Sequence, residues 1–302
     1  ETSALGKVKA FTYDAKGNRA SMTDAKGATI NYTYNNRDLM TAVTYPDATS
    51  VSFGYDAAGR RTTMTDSFGT TLYTYDSLNR LTKVDGPANA DTIEYSYDAL
   101  GNRTRMIDQD SGVTTYAYDN LNRLVSLADP ANKITTYSYD AVSNLKAVAY
   151  PNTGSVAYTY DNRNRVLSLI NKGGATTLSS FTYAYDLNGM KTLVTLANGY
   201  KIAYSYDGLN QLTLEKMSHM AKRKEVIDYQ QTFTYDAAGN RATLTKVTGN
   251  VTEATTYSYD AENALLSAVT RNGSGSLIES RAFTYDANGN TLQQSLAAGS
   301  TT

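Results

Sequence analysis

The stretch "YTYDSLNRLTKVDG", Tyr73 to Gly86, returns along the chain as "YSYDALGNRT" from Tyr95, "YAYDNLNRLV" from Tyr116, "YTYDNRNRVL" from Tyr158 and "FTYDAAGNRA" from Phe233. A catalytic site needs each of its groups once, in one place, so a phrase repeated this often points to architecture. With the second Tyr of each copy as position 0, the anchors are Tyr13, Tyr34, Tyr55, Tyr75, Tyr97, Tyr118, Tyr139, Tyr160, Tyr185, Tyr206, Tyr235, Tyr259 and Tyr285. Their spacings are 21, 21, 20, 22, 21, 21, 21, 25, 21, 29, 24 and 26 residues. A period in this range marks a solenoid, propeller or hairpin array.

Each copy reads as one β-hairpin. An aromatic precedes every anchor by two residues, from Phe11 and Tyr32 to Phe283, and that spacing puts both rings on one face of a strand. Asp follows the anchor in twelve copies of thirteen, Asn35 being the exception, and three residues later comes Gly, Asn, Asp or Ser. Asp opening a type I turn that closes on a residue tolerant of positive φ is the signature of a hairpin with a G1 bulge. At position 9 an aliphatic recurs in eleven copies of thirteen, interrupted by Glu215 and Gln294. The return strand ends in a looser turn such as "DAKG" from Asp24 or "RNGSG" from Arg271. A bulge of uncertain place leaves the register across each hairpin open.

Composition agrees with strands and turns. The 302 residues include 26 Tyr, no Trp, 4 Pro and 21 Gly, and blocks of helix formers are scarce. The fold class is therefore all-β, a repeat array of antiparallel hairpins of about 21 residues, roughly 24 strands in all, that must twist into a long curved or spiralling sheet. A single array spanning 1–302 is expected, regular over about 11–170, looser over about 171–295, with an insertion at about 213–231. The insertion reads as an extended hairpin or peripheral loop, with a binding loop around Lys222, Arg223 and Lys224 as the competing reading.

Several function classes find no support. Charges of 28 Lys and Arg against 29 Asp and Glu, evenly spread, give no footprint for nucleic acid or an anionic membrane. No apolar run approaches the length of a membrane span and the N-terminus has no signal-peptide core, so the chain reads as a piece of a longer or processed protein. Zero Cys removes disulfides and thiolate chemistry. His219, the only histidine, reads as a solvated side chain in the insertion, and no serine has a base in a recognisable triad context. No Gly-rich phosphate loop is present. Calcium would need several oxygens converging on one ion, whereas each turn Asp is engaged in its own turn. No catalytic, cofactor-binding or metal-ligating residue is expected, and no cofactor. The residues that matter are structural: the thirteen anchors together with Asp56, Asp76, Asp98, Gly59, Gly101 and Gly239. Arg19, Arg60, Arg80, Arg103, Arg123 and Arg165 are expected to pair with neighbouring Asp, a surface for anionic glycans being the other possibility.

Copies such as "YDAAGRRTTMTDSFGTTLYTYDSLNRLTKV" and "YDALGNRTRMID" resemble the YD repeats of the RHS family, whose pattern is G-x-x-x-x-Y-x-Y-D-x-x-G-R-L. The resemblance runs from Phe11 to about Asn290. It implies a spiralling sheet of hairpins forming a hollow β-shell, which in bacterial RHS proteins, toxin complexes and teneurins encloses a polypeptide, commonly a toxin domain. The chain departs from the family in lacking an Asp-Pro-x-Gly core box; "DPANK" from Asp129 has no Gly and lies mid-array. The expected function is a non-enzymatic wall segment of such a shell, secreted or at a bacterial surface. Its partners would be the remaining repeats and C-terminal domain of a longer parent, and an enclosed polypeptide. The alternative is an extracellular adhesion module, binding glycans or self-associating through its edge strands.

Overall fold

The computed structural model describes residues 1–88 and 91–299. It contains 26 strands, numbered in chain order from β1 (Ala10–Tyr13) to β26 (Thr291–Ala298), assigned to one antiparallel sheet, with no helix among the described residues. Two strands arise from each of the thirteen anchors, slightly more than the roughly 24 expected.

The opening stretch shows how a copy folds. β7 (Gly69–Tyr75) and β8 (Leu81–Asp85) pair with Tyr73 opposite Val84, Thr74 opposite Lys83 and Tyr75 opposite Leu81, which leaves Thr82 as the extra residue of a bulge. The aromatic at position −2 therefore faces the aliphatic at position 9, and the anchor faces position 6. The same shift recurs in Phe11 opposite Met22, Tyr32 opposite Val43, Tyr116 opposite Leu127 and Tyr183 opposite Val194. The register that the sequence leaves open is settled by this bulge. Where Glu215 and Gln294 interrupt the aliphatic column, they lie opposite Tyr204 and Phe283.

Between the strands the chain makes a type I turn and a G1 bulge. The Asp76 N–H donates to the Arg80 carbonyl at 2.9 Å, and the Asn79 N–H donates back to the Asp76 carbonyl at 3.1 Å. All thirteen residues at position 4 have positive φ, from 59° at Asn122 to 92° at Gly101. That is the left-handed region which glycine enters freely and Asn and Asp tolerate.

The two faces of the sheet differ. Position −1 is exposed in every copy but Gly54 and is Thr or Ser in all but Gly54, Ala117 and Ala184, with hydroxyl pairs across the strands such as Thr12 with Ser21 at 2.6 Å and Thr159 with Ser168 at 2.6 Å. The aromatic face is half-buried by its own neighbours. Only Val43, Val148, Val194 and Phe233 are buried hydrophobics among the described residues, so no conventional core exists.

By internal packing the chain divides into two units, Glu1–Thr2 with Val8–Tyr139 and Val148–Thr153, and Ser3–Lys7 with Asp140–Ala147 and Gly154–Thr302. In the first, from β1 onward, strands are short, five residues in β2 (Arg19–Thr23) and six in β3 (Thr29–Tyr34). In the second they lengthen, to ten residues in β20 (Leu212–Ala221) and twelve in β21 (Lys224–Tyr235). The wider anchor spacings after Tyr160 are taken up in this extra strand length. The segment 213–231 is thus an extended hairpin, closed by Lys222 and Arg223 at φ 46° and 68°, the signs of a type I′ turn. Within the second unit, Ser3–Lys7 also meets a turn far along the chain: Glu262 accepts from the Leu5 N–H at 3.3 Å and the Lys7 ammonium at 2.8 Å.

Candidate functional site

The repeated chemistry of the chain lies at the junction between one hairpin and the next. Tyr97 donates its hydroxyl to the Leu81 carbonyl of the preceding hairpin at 2.7 Å, and Leu81 is the position 6 residue beside the bulge. The other anchors after Tyr13 do the same: Tyr34 to Arg19, Tyr55 to Met40, Tyr75 to Arg61, Tyr118 to Arg103, Tyr139 to Leu124 and Tyr160 to Leu145. The series continues with Tyr185 to Val166, Tyr206 to Lys191, Tyr235 to Leu212, Tyr259 to Arg241 and Tyr285 to Leu265. A bulge interrupts the ladder and frees a backbone carbonyl, and a Tyr hydroxyl supplies a donor where Phe could not. Ahead of Tyr13 lies the Ser3–Lys7 turn, in which the Ser3 N–H donates to the Lys7 carbonyl and the Gly6 N–H to the Ser3 carbonyl, both at 2.9 Å, as in the repeat turns; Tyr13 itself is 62% exposed.

The turn Asp organises the other half of the junction. In Asp76, Oδ1 accepts from the backbone N–H of Leu78 and Arg80 at 2.9 Å each, and Oδ2 accepts from the Arg80 guanidinium at 2.7 Å. The backbone N–H of Arg80 and its guanidinium hold the Asp76 carboxyl below its ordinary range. Asp98 is lowered chiefly by the Asn102 side-chain amide. Asp56 is also lowered, the Arg60 guanidinium and backbone N–H outweighing the desolvation that opposes them. Gly59, Gly101 and Gly239 occupy position 4 at φ 85°, 92° and 87°.

The arginines divide into two roles. Arg60, Arg80, Arg123 and Arg165, at position 5, pair with Asp56, Asp76, Asp119 and Asp161 of their own turns. They also lie over the anchor ring of the next hairpin, as Arg80 over Tyr97 at 4.8 Å and Arg165 over Tyr185 at 4.6 Å. Arg19 and Arg103, at position 6, stack between aromatics of successive hairpins, Arg19 over Phe11 at 6.0 Å and Tyr32 at 4.9 Å, Arg103 over Tyr95 at 5.7 Å and Tyr116 at 4.6 Å. Pairing with Asp describes the first group; for Arg19 and Arg103 the partners are rings, because the bulge places position 6 on the aromatic face. The repeated basic column at positions 5 and 6 is the signal that could have separated these roles.

His219 is placed differently from the solvated side chain expected. Its Nδ1 lies 2.9 Å from Asp228 Oδ2 across the extended hairpin, and its ring stacks on Tyr200 at 4.8 Å. Nearby, Tyr229 donates to Glu215 at 2.6 Å, and burial followed by that carboxylate pushes its phenol up to about 12. Among the described residues no group of three or more His, Asp or Glu is arranged to hold a metal ion. No helix long and apolar enough to cross a membrane occurs among the described residues, which says nothing of a β-barrel.

The Teneurin YD-shell family model matches residues 72–177 and 170–301, and the RHS Repeat model matches residues 1–29, 13–50 and 34–71. The chain belongs to the RHS/YD-repeat family. Membership gives this RHS/YD chain a structural, shell-type role. Its fold is similar to that in a crystal structure of TcdB2-TccC3-Cdc42, with a TM-score of 0.76 and 17% identity over 97% of this chain and 18% of the other. TcdB2-TccC3-TEV gives 0.74 and 16% over 96% and 18%. A Photorhabdus luminescens Tc holotoxin pore gives 0.63 and 18% over 97% and 18%. The RHS/YD chain thus spans under a fifth of the length of these solved chains, and the likeness is one of fold. No curated protein matches it.

Proposed function

We propose that this chain is a non-enzymatic wall segment of an RHS-type β-shell that encloses a polypeptide such as a toxin domain, in a protein exported or displayed at a bacterial surface. The observation that carries the reading is the junction series: twelve Tyr hydroxyls, from Tyr34 to Tyr285, each tie one hairpin to the bulge of the hairpin before it. A sheet joined this way extends without a core, and its aromatic face stays half-exposed, able to make weak, adaptable contacts with an unfolded guest. Family membership and the likeness to TcdB2-TccC3 support the same reading.

Limited proteolysis of the longer gene product that carries the chain tests it, with a tag on polypeptide outside the repeats. Enclosure predicts that the tagged polypeptide resists cleavage until the wall is opened by Tyr97→Phe, Tyr118→Phe and Tyr139→Phe together. Cleavage at the rate of the free polypeptide, with the wall intact, refutes enclosure.

A further inference from the structure

Glu215 is out of place on the aromatic face. It occupies position 9, where eleven of the thirteen copies have an aliphatic, and lies opposite Tyr204, the position −2 ring of its own hairpin. Both residues are half-buried. Glu215 Oε1 accepts from the Tyr229 hydroxyl at 2.6 Å, while Oε2 has no partner among the described residues. No buried side-chain oxygen among those residues is unpaired, so Oε2 is open to solvent. The carboxylate acts on both rings: burial first, and Glu215 next, raise the phenols of Tyr204 and Tyr229 above their ordinary value.

A half-buried carboxylate favours a cation beside it, and among the described residues the chain supplies none. Lys216, next in sequence, pairs with Glu225 at 3.1 Å. Lys191, at position 6 of the hairpin before Tyr204, lies over the Tyr183 ring at 5.0 Å. Lys246 lies opposite Gln231, which in turn lies opposite Glu215, and forms no ion pair among the described residues. The Tyr204 ring is also uncovered. At the same position, Tyr32, Tyr73, Tyr116 and Tyr257 carry the guanidinium groups of Arg19, Arg61, Arg103 and Arg241, which lie 4.6 to 5.9 Å from the ring centroids. In each of these four places the cation comes from position 6 of the preceding hairpin.

We infer that Glu215 and the Tyr204 ring form a binding site for a guanidinium group, that of an arginine side chain from another polypeptide. The planar cation lies over Tyr204 as Arg103 lies over Tyr116, its N–H groups donate to Glu215 Oε2, and Tyr229 holds the carboxylate by its other oxygen. In the proposed shell such an arginine would belong to the enclosed chain, but the site is assigned from its own contacts and its test needs no guest.

The probe is N-acetyl-arginine amide, with N-acetyl-citrulline amide as its neutral isostere, added to the full chain with isotope-labelled tyrosine rings. Saturable NMR shifts appear at Tyr204 and Tyr229, with a Kd on the order of 1–10 mM. They are absent at Tyr73 and Tyr95, whose rings already carry Arg61 and Arg103. The citrulline probe, and Glu215→Gln with the arginine probe, each bind about 10-fold more weakly or worse, the range for a hydrogen bond between charged groups. Gln294 already stands at position 9 opposite Phe283, so glutamine is compatible with this column. If Glu215→Gln nevertheless fails to fold, the comparison of the two probes on the unaltered chain decides. Equal shifts from the two probes overturn the inference. So do shifts that survive Glu215→Gln, equal shifts at Tyr73 and Tyr95, or no saturable shift below about 50 mM probe.

Discussion

Replacing Tyr97 by Phe removes one hydroxyl and leaves the rest of its junction in place. The ring remains under the Arg80 guanidinium, 4.8 Å from its centroid, and only the 2.7 Å bond to the Leu81 carbonyl is lost. A neutral hydrogen bond contributes about 0.5–1.5 kcal/mol net, so the β8 to β9 (Thr92–Tyr97) junction should open about 5-fold more often for a loss near 1 kcal/mol. Spread over a chain of 302 residues, the same loss shifts a cooperative thermal midpoint by less than about 2 °C. Hydrogen exchange across residues 81–97 is therefore the appropriate assay, because a repeat array opens locally between neighbours. Tyr95→Phe is the matched control. Tyr95 lies two residues earlier on the same strand, is half-buried like Tyr97, and its hydroxyl has no hydrogen-bond partner among the described residues. Tyr97→Phe should speed exchange at this junction and Tyr95→Phe should not. Equal effects from the two would refute the hydroxyl tie and leave ring packing as the whole contribution of the anchors.

Acid should loosen the turns. Asp76, Asp98 and Asp119 are held below the ordinary carboxylate value by backbone N–H groups, the Asn102 amide and the Arg123 guanidinium, so their stabilisation is complete above the unfolded value of about 3.9 and is lost as pH falls through their lower folded values. Melting followed from pH 6 downward should show this fall, and Asp98→Asn should make it shallower; Asn35 already accepts from the Arg37 and Leu39 N–H groups in the same place. Gly101→Val should cost about 1–2 kcal/mol in thermal unfolding, through backbone strain at φ 92° alone, since nothing lies within 4 Å of an added Cβ. Gly101→Asn should cost less, because Asn holds positive φ at Asn79, Asn122 and Asn164. Tyr229, raised to about 12, stabilises the fold below the ordinary phenol value of about 10 and loses that contribution as pH rises through the folded value. Glu215→Gln should bring its titration down, as read by carbon NMR of the phenol ring, and an unmoved titration would show that Glu215 has no part in the shift.

The parts of the fold legible in the sequence are those encoded within one hairpin. Tyr73 and Tyr75 sit two apart, Asp76 opens a turn, and Asn79 closes it at φ 66°; each requirement falls on a side chain and recurs with the period. The junctions are not legible in this way. The acceptor of each anchor hydroxyl is a backbone carbonyl, which leaves no residue signature, and it can be found only once the bulge at Thr82 fixes which carbonyl is freed. For the same reason Arg19 and Arg103 could not be told apart from Arg60 and Arg80 without the register. His219 was obscured by a second irregularity, a shift between Met217 and Ser218 that leaves Asp228 as the extra residue of a bulge, its carboxylate within reach of the His219 ring, in a register the periodic pattern does not contain. The bond from an Asn at position 5 to the side chain at position 4 of the next turn, as from Asn102 to Asn122, joins two residues visible in the sequence, but reading it requires knowing that residues about 20 apart touch.

Cohesion in such a chain cannot come from a core, since only four hydrophobic side chains among the described residues are buried. It comes from a junction repeated with small variations: a Tyr hydroxyl on a bulge carbonyl, a position 5 side chain on its own Asp and on the next turn, and a cation over a ring. Each of these is individually modest. A nearest-neighbour structure built from them has two consequences. Its length is not limited by the volume of a core, which suits a wall, and its stability does not grow by adding layers, so each junction must be complete. Sequence variation in the repeat is then constrained in pairs. Where position 5 is Asn, its outgoing bond needs a side-chain acceptor at position 4 of the next hairpin, as Asn102 has at Asn122, whereas Ala264 is followed by Gly289 and Met190 by Asn210 without such a bond.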